Sequence, residues 1–313
     1  MEFSHVSVML YETVDGLNIK PDGIYVDGTM GGAGHTQEIA KRLTTGRVIA
    51  IDQDPDAIQN AKALEIEAQG KITVVENNFK NIKIVLRRLG IQEIDGMILD
   101  LGVSSHQFDT TDRGFSYLYD AKLDMRMSQS GLSAWDIVNT YDEERLADVI
   151  YQYGEERYAR RIARKIVEVR ATKSIDRTLE LVEVIRTAMP AQALRAKIHP
   201  ARRTFQALRI EVNNELGLLK QALENIVSVL KPGGRVCVIT FHSLEDRIVK
   251  ETFRYLQQDC ICPKEFPVCQ CDKQQEVKVI TRKPILPSPE EIEGNRRSRS
   301  AKLRIAEKME VQK

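Results

Sequence analysis

Four short apolar runs in the first hundred residues, each followed by a helix-patterned stretch, constrain this chain more than any other feature. The runs are "GIYVDGT" (23–29), "RVIAIDQD" (47–54), "KITVVENNF" (71–79) and "IDGMILDLG" (94–102). Between them, "HTQEIAKRL", "DPDAIQNAKALEIEA" and "FKNIKIVLRRL" carry apolar residues at helical spacing. Strands that alternate with helices make a parallel sheet, because each parallel connection needs a crossover long enough for a helix. The strands are apolar almost throughout, as burial on both faces requires. Asp54 followed by Pro55 marks the start of the second helix, a capping residue before one suited to the first helical position.

The rhythm then stops. From about Gln107 to Asn213 the patterns are helical, as in "SAWDIVNTY", "DEERLADVIYQYGEERYARRIARKIVEVRA" and "RTLELVEVIRTAMP". A long helix is expected from about Pro200 into "NIVSVLKPGG". The strand "RVCVITF" (235–241) resumes the α/β order, "SLEDRIVKETFRYLQQ" reads as a helix, and "EVKVITRKPIL" with "SAKLRIAEK" reads as a closing antiparallel pair. The expected organisation is an α/β domain in two parts, 1–106 and 214–313, with an all-helical domain inserted at 107–213.

Formal net charge is only +1, so any surface for nucleic acid must be local. No apolar run approaches the ~20 residues of a membrane span, and the N-terminus shows no basic-then-apolar leader. A cytoplasmic protein without a membrane partner is the expectation, and a homodimer is left open. Of five cysteines, Cys237 sits in an apolar strand and reads as a small buried hydrophobe. The others form "CICPKEFPVCQC": Cys260, Cys262, Cys269 and Cys271. Their CxC–x6–CxC spacing differs from the usual CxxC knuckles, and a reduced surface loop is preferred over a metal site.

The first strand runs into "VDGTMGGAGHT", with Gly28, Gly31, Gly32 and Gly34. A G-x-G-x-x-G turn would seat a pyrophosphate on the following helix, but this spacing differs. Asp27 at the strand end would repel a pyrophosphate and pair with an ammonium group. S-adenosylmethionine carries such a group and no phosphate. Asp52 ends the second strand, where a carboxylate can accept from both ribose hydroxyls. Asn78 and Phe79 end the third, offering a polar partner and a packing face for adenine, and Asp100 ends the fourth. Any one of these aspartates alone would read as a helix cap or a solvated loop residue. Together they converge on the crevice at the carboxyl ends of the strands. An NAD-dependent oxidoreductase is disfavoured by Asp27 and the glycine spacing.

Taken together, "VDGTMGGAGHT", "AIDQDP", "DLGVSSHQFD", "RGFS", "LDMRM", "HPARRTFQALRIEVNNEL", "LKPGGR" and "FHSLEDR" resemble the bacterial small-subunit ribosomal RNA cytosine-N4 methyltransferase family, also called MraW. The resemblance runs from "HVSVML" at His5 to the "RSAKLR" tail. It implies a class I S-adenosylmethionine-dependent methyltransferase fold, Rossmann-like, with an inserted helical domain. The implied activity is methylation of the N4 amine of a decoding-site cytidine in 16S rRNA. Implied cofactor contacts fall on Ala33, Gly34, His35, Asp52, Phe79, Asp100 and Gln107.

The cytosine amine is a weak nucleophile, and an acceptor for its proton would help; Asp100 is the candidate, with cofactor binding as its rival role. The "GVSS" segment, Ser104 included, is expected to shape the base pocket. Methylation at carbon-5 would need a cysteine near the strand ends, and Cys237 lies inside its strand instead. RNA contacts are expected from Arg157, Arg160, Arg161, Arg164 and Lys165; from Arg195, Lys197, Arg202, Arg203 and Arg209, with Phe205 as an interleaved aromatic; and from Arg296, Arg297 and Arg299. His242 and Ser243 are candidates for contact with the base, Ser243 alternatively as a helix cap. The competing readings are a methyltransferase of another RNA, a protein or a small molecule, and a non-catalytic RNA-binding assembly factor.

Overall fold

The structure is a computed structural model that describes residues 7–263, 266 and 268–310; His5 lies outside them. It divides into two compact units. One ends at Gly102 and resumes at Leu216, and the other is Val103–Glu215. The helical insertion was expected at 107–213, and the second unit begins and ends a few residues further out.

The first unit opens with α1 (Leu10–Gly16) and then alternates: β1 (Ile24–Asp27), α2 (Gly34–Arg42), β2 (Arg47–Asp52), α3 (Pro55–Glu67), β3 (Ile72–Glu76), α4 (Ile82–Arg88) and β4 (Ile94–Asp100). Asp54 caps α3 by accepting from Asp56 N at 3.1 Å, with Pro55 at the first helical position, as the sequence indicated. β1, β2, β3 and β4 pair in parallel, in the order β3-β2-β1-β4.

The helical unit contains α5 (Ser105–Asp109), α6 (Ala134–Thr140), α7 (Glu143–Gly154), α8 (Ala159–Arg170), α9 (Thr178–Ala188), α10 (Ala191–Leu194) and α11 (Arg202–Asn213). The stretch 142–171 is two helices, broken after Gly154, where Glu155 takes a left-handed conformation. The single long helix expected from Pro200 is also two. Asn214 turns left-handed to end α11, and a new helix, α12 (Leu219–Val229), starts in the first unit. The core of the helical unit is formed by side chains such as Ile137, Ile150, Ile162, Ile166, Leu181 and Phe205.

After α12 the first unit continues with β5 (Leu230–Thr240), α13 (Ser243–Gln257), β6 (Val277–Val279), α14 (Pro289–Gly294) and β7 (Lys302–Lys308). β5 lies parallel to β4, and β7 lies antiparallel between β5 and β6. The closing pair read from the sequence is therefore present, as the antiparallel edge of a seven-stranded sheet. Along each central strand, alternate residues enter two separate cores. Ile49, Ile51, Met97, Leu99, Val236 and Val238 face one; Val48, Ala50, Ile98, Cys237 and Ile239 face the other. Continuous apolar strands follow from that double burial. Thr29 N, Gly31 N and Asp100 N all lie at the carboxyl edge of this sheet.

Candidate active site

β1, β2 and β4 are neighbours in parallel register, so their carboxyl ends put Asp27, Asp52 and Asp100 on one edge. The loop after β1 is stitched to both neighbours: Gly28 N donates to Ile98 O at 2.9 Å, and Met30 N to Ile51 O at 3.0 Å. Position 28 is closely packed: a Cβ there would sit 2.6 Å from Leu99 Cδ2 and Met97 Cε, whose side chains would have to shift, and 3.1 Å from Phe79 Cβ. Ala33 caps α2 with a left-handed backbone, φ 61°, a conformation that a side chain disfavours. The first turn of α2 thus begins in a strained loop at the sheet edge.

The three aspartates have different fates. Asp27 is 0% exposed, and both of its oxygens are occupied: Oδ2 accepts from Thr36 Oγ1 at 2.7 Å, and Oδ1 from Thr29 N at 3.2 Å. It therefore has no face to offer an ammonium group; the expectation of direct ligand contact is corrected to a role inside the glycine loop. Asp52 is partly exposed and organises the same loop, accepting from Gly31 N at 2.8 Å and Asp54 N at 2.9 Å. Burial, opposed by those two N–H groups, pushes its pKa up to about 6.

Asp100 stands apart. Its backbone N–H donates to Thr29 Oγ1 at 2.6 Å, but its Oδ1 is buried and accepts no hydrogen bond among the described residues. Burial raises its pKa well above the carboxylate range, and the charges of Asp27, Glu245 and Glu291 add to the effect. A buried carboxylate oxygen without a partner is costly unless a ligand supplies one. The negative charges of Asp27, Glu245 and Glu291 around it favour a cationic partner over an anionic one. S-adenosylmethionine, with an ammonium and a sulfonium, fits this donor set, and a pyrophosphate does not. Asp100 would hold the cationic part, Asp52 the ribose hydroxyls and Phe79 the adenine, Phe79 being half-buried beside Gly28. Asn78 is committed elsewhere: its Oδ1 accepts from Lys80 N and its Nδ2 donates to Gln53.

Several expected contacts occupy other roles. The ring of His35 is buried, with Nε2 3.1 Å from Val8 O, so only its backbone, in the first turn of α2, remains available for the cofactor. Gln107 is buried in a capping box at the start of α5, where Ser104 N donates to its Oε1 at 3.0 Å and Gln107 N donates to Ser104 Oγ at 3.2 Å. His242, not Ser243, caps α13: its Nδ1 accepts from Glu245 N at 3.4 Å, and Glu245 accepts from Phe241 N at 2.8 Å. His242 is thus tied into a cap, while Ser243 is exposed. Glu245 and Glu291 escaped the sequence reading. The signal for Glu245 was its place three residues after the cap; Glu291, bonded from Met9 N across most of the chain length, left none.

In the helical unit the basic residues sort by burial. Arg157, Arg160, Arg161, Arg164, Arg195, Lys197, Arg202 and Arg203 are exposed. Arg209 is not available, since it forms a bidentate pair with Glu215 at 2.9 Å on both arms. Phe205 is 3% exposed and packs edge-on to Tyr117 with centroids 5.8 Å apart, so it is a core residue and cannot stack on a base. The aromatic surface belongs instead to a cavity of about 260 Å³ lined by Arg157, Tyr158, His199, Pro200 and Arg203. Arg157 lies 4.6 Å from the Tyr158 ring centroid, and His199 stacks on Tyr117 at 4.6 Å. Arg296, Arg297 and Arg299 are exposed on a short 3-10 turn of the first unit. Cys237 is fully buried, and that burial drives its thiol pKa far up, so it is no nucleophile.

A sequence profile of the MraW methylase family matches residues 2–309. The protein named Ribosomal RNA small subunit methyltransferase H of Clostridioides difficile (strain 630) is 58% identical over 311 residues, which is 99% of this chain and 100% of that one. Its namesake from Finegoldia magna (strain ATCC 29328 / DSM 20472 / WAL 2508) is 55% identical over the same shares, and that of Brevibacillus brevis (strain 47 / JCM 6285 / NBRC 100599) is 54% identical over 99% of each chain. With three aspartates gathered at the carboxyl edge of the sheet and relatives that match end to end, the chain belongs to the MraW methylase family and is an S-adenosylmethionine-dependent methyltransferase of class I fold.

Proposed function

We propose that this enzyme methylates the N4 amine of a decoding-site cytidine in 16S rRNA, in the cytoplasm, on the small ribosomal subunit or its RNA. The observation that carries the chemistry is the buried Oδ1 of Asp100 at the carboxyl end of β4, unpartnered among the described residues. When bound, S-adenosylmethionine supplies an electrophilic methyl group. The work left to the protein is to hold the amine in line with it, and such positioning is worth roughly 7–11 kcal/mol in favourable cases. Asp100 also offers an acceptor for an amine hydrogen, which would favour the pyramidal nitrogen; proton transfer of this kind is typically worth about 10²–10⁴-fold.

Cysteine-dependent carbon-5 chemistry finds no support at this edge, because Cys237 is sealed in the sheet. RNA affinity would come from the exposed arginines of the helical unit, with Arg202 and Arg203 on α11 and Arg157 beside the aromatic cavity. The target base must leave its stack to reach a side chain at a sheet edge. The deciding experiment is mass mapping of 16S rRNA from cells lacking the protein. One cytidine should lose a base methyl group and regain it on re-expression. An unchanged methylation map in 16S rRNA, with a methyl missing from another RNA or a protein, would reassign the substrate.

A further inference from the structure

The segment from Gln258 to Glu276 joins α13 to β6, and none of its described residues is in a helix or strand. That is long for a connection inside a compact α/β domain. Its apolar side chains Ile261, Phe266 and Val268 are exposed, so burial does not order it. Four thiols nevertheless converge there. The sulfurs of Cys260, Cys262, Cys269 and Cys271 all lie within 4.8 Å of one another, and none is in a disulfide. The separations are 3.5 Å for Cys260–Cys269, 3.6 Å for Cys269–Cys271, 3.8 Å for Cys260–Cys271 and 4.0 Å for Cys262–Cys269.

Those distances match the geometry of a four-sulfur metal site. A tetrahedral ion with metal–sulfur bonds of about 2.3 Å has sulfur–sulfur edges of about 3.8 Å, and the four values scatter around that length. Backbone donors complete the pattern. Ile261 N donates to Cys271 Sγ at 3.3 Å, Cys262 N to Cys260 Sγ at 3.3 Å and Gln270 N to Cys262 Sγ at 3.2 Å. N–H groups aimed at sulfur stabilise thiolate charge, as the outer shell of a metal site does.

We propose that Cys260, Cys262, Cys269 and Cys271 bind one structural zinc ion that orders the connection between α13 and β6. Four thiolates in a tetrahedron suit borderline-soft zinc and leave no open position, so the site is structural and stands apart from methyl transfer. As each Zn–S bond forms, its thiol proton passes to solvent, so binding releases up to four protons and becomes tighter as pH rises.

The test uses the full-length protein, purified under reducing conditions without chelator from zinc-supplemented cells. Elemental analysis should give one zinc per chain, and cobalt(II) added to metal-free protein should give the intense visible bands of a tetrahedral thiolate site. Cys269→Ser/Cys271→Ser should lose at least about nine-tenths of the metal, whereas Cys237→Ala should keep it. Metal-free protein should be cleaved within 258–276 about tenfold faster, because proteolysis follows the population of the opened segment. Metal-free wild-type protein with four titratable thiols, paired disulfides in their place, or full zinc retention by the double variant would overturn the proposal. Iron in place of zinc would overturn the metal assigned. The wild-type stoichiometry decides alone if the variants fail to fold.

Discussion

At the scale of single residues, Asp100 and Asp52 carry the strongest consequences. Asp100 has a folded-state pKa above its unfolded value, so its ionised form opposes folding. That penalty is absent below the unfolded pKa and grows as pH rises above it. Asp100→Asn should therefore stabilise the ligand-free protein at pH 8 by about 1 kcal/mol or more, the order of an unsatisfied buried group, with the gain shrinking toward pH 4. The same substitution should depress turnover much further than cofactor affinity; calorimetry that finds equal losses would leave Asp100 as a cofactor ligand alone. Asp52 makes a pH prediction. With its pKa near 6, ligand-free protein holds a proton there in mild acid. Cofactor affinity should rise with pH up to about 6, by at most about tenfold per unit, then level off, and titrations in two buffers of different ionisation enthalpy should detect the released proton.

At the scale of elements, the opposite edge of the sheet is held by a different acid. Asp95, at the start of β4, accepts from Ile24 N of β1 at 2.9 Å and Lys231 Nζ of β5 at 2.8 Å, with Lys20 3.7 Å away. One buried carboxylate thereby ties three strands, and although burial raises its pKa, the hydrogen bonds and charges of Lys231, Ile24 and Lys20 bring it below the usual value. Its contribution is present above the unfolded pKa and is lost as pH falls through the lower folded one. Asp95→Ala should cost about 1–3 kcal/mol near neutral pH, read as a lower melting temperature, because Ile24 N and Lys231 lose their partner. A change under 0.5 kcal/mol would show that water replaces the carboxylate. Elements also explain motifs whose meaning the sequence hid. In "LDMRM" and "VNNEL", Asn213 Nδ2 donates to Met125 O at 2.8 Å and its Oδ1 accepts from Met127 N at 2.8 Å, so these motifs hold the helical unit together.

At the scale of the whole molecule, a net charge of +1 must still support RNA binding, so the charge has to be sorted by place. Arg157 and Arg203, far apart in sequence, line one cavity of the helical unit. If both contact phosphate, Arg157→Ala/Arg203→Ala should weaken RNA binding several-fold and lower the salt dependence by about one to two counterions, while cofactor affinity is unchanged. Binding measured between two salt concentrations checks this; an unaltered slope would make the pair a structural feature of the cavity rim. Removing the Arg209–Glu215 pair should act on thermal stability and leave that slope alone, since both arms of Arg209 are already occupied.

The sequence by itself determined the parallel α/β order, the helical insertion, the Asp54 cap and the acids at the strand ends. Each of these is local: apolar period, chain breaks and the last residue of a strand depend on near neighbours. It could not say which acid keeps a free face. Asp27 and Asp100 close equivalent strands, yet Thr36 of α2 satisfies one, while Glu245 and Glu291 crowd the other. It likewise misplaced Phe205, whose period fits a core or a surface until its neighbours are known, and could not show that two CxC pairs meet. Those outcomes rest on contacts between residues distant along the chain, which only tertiary packing creates, because burial and charge are properties of surroundings rather than of residue types.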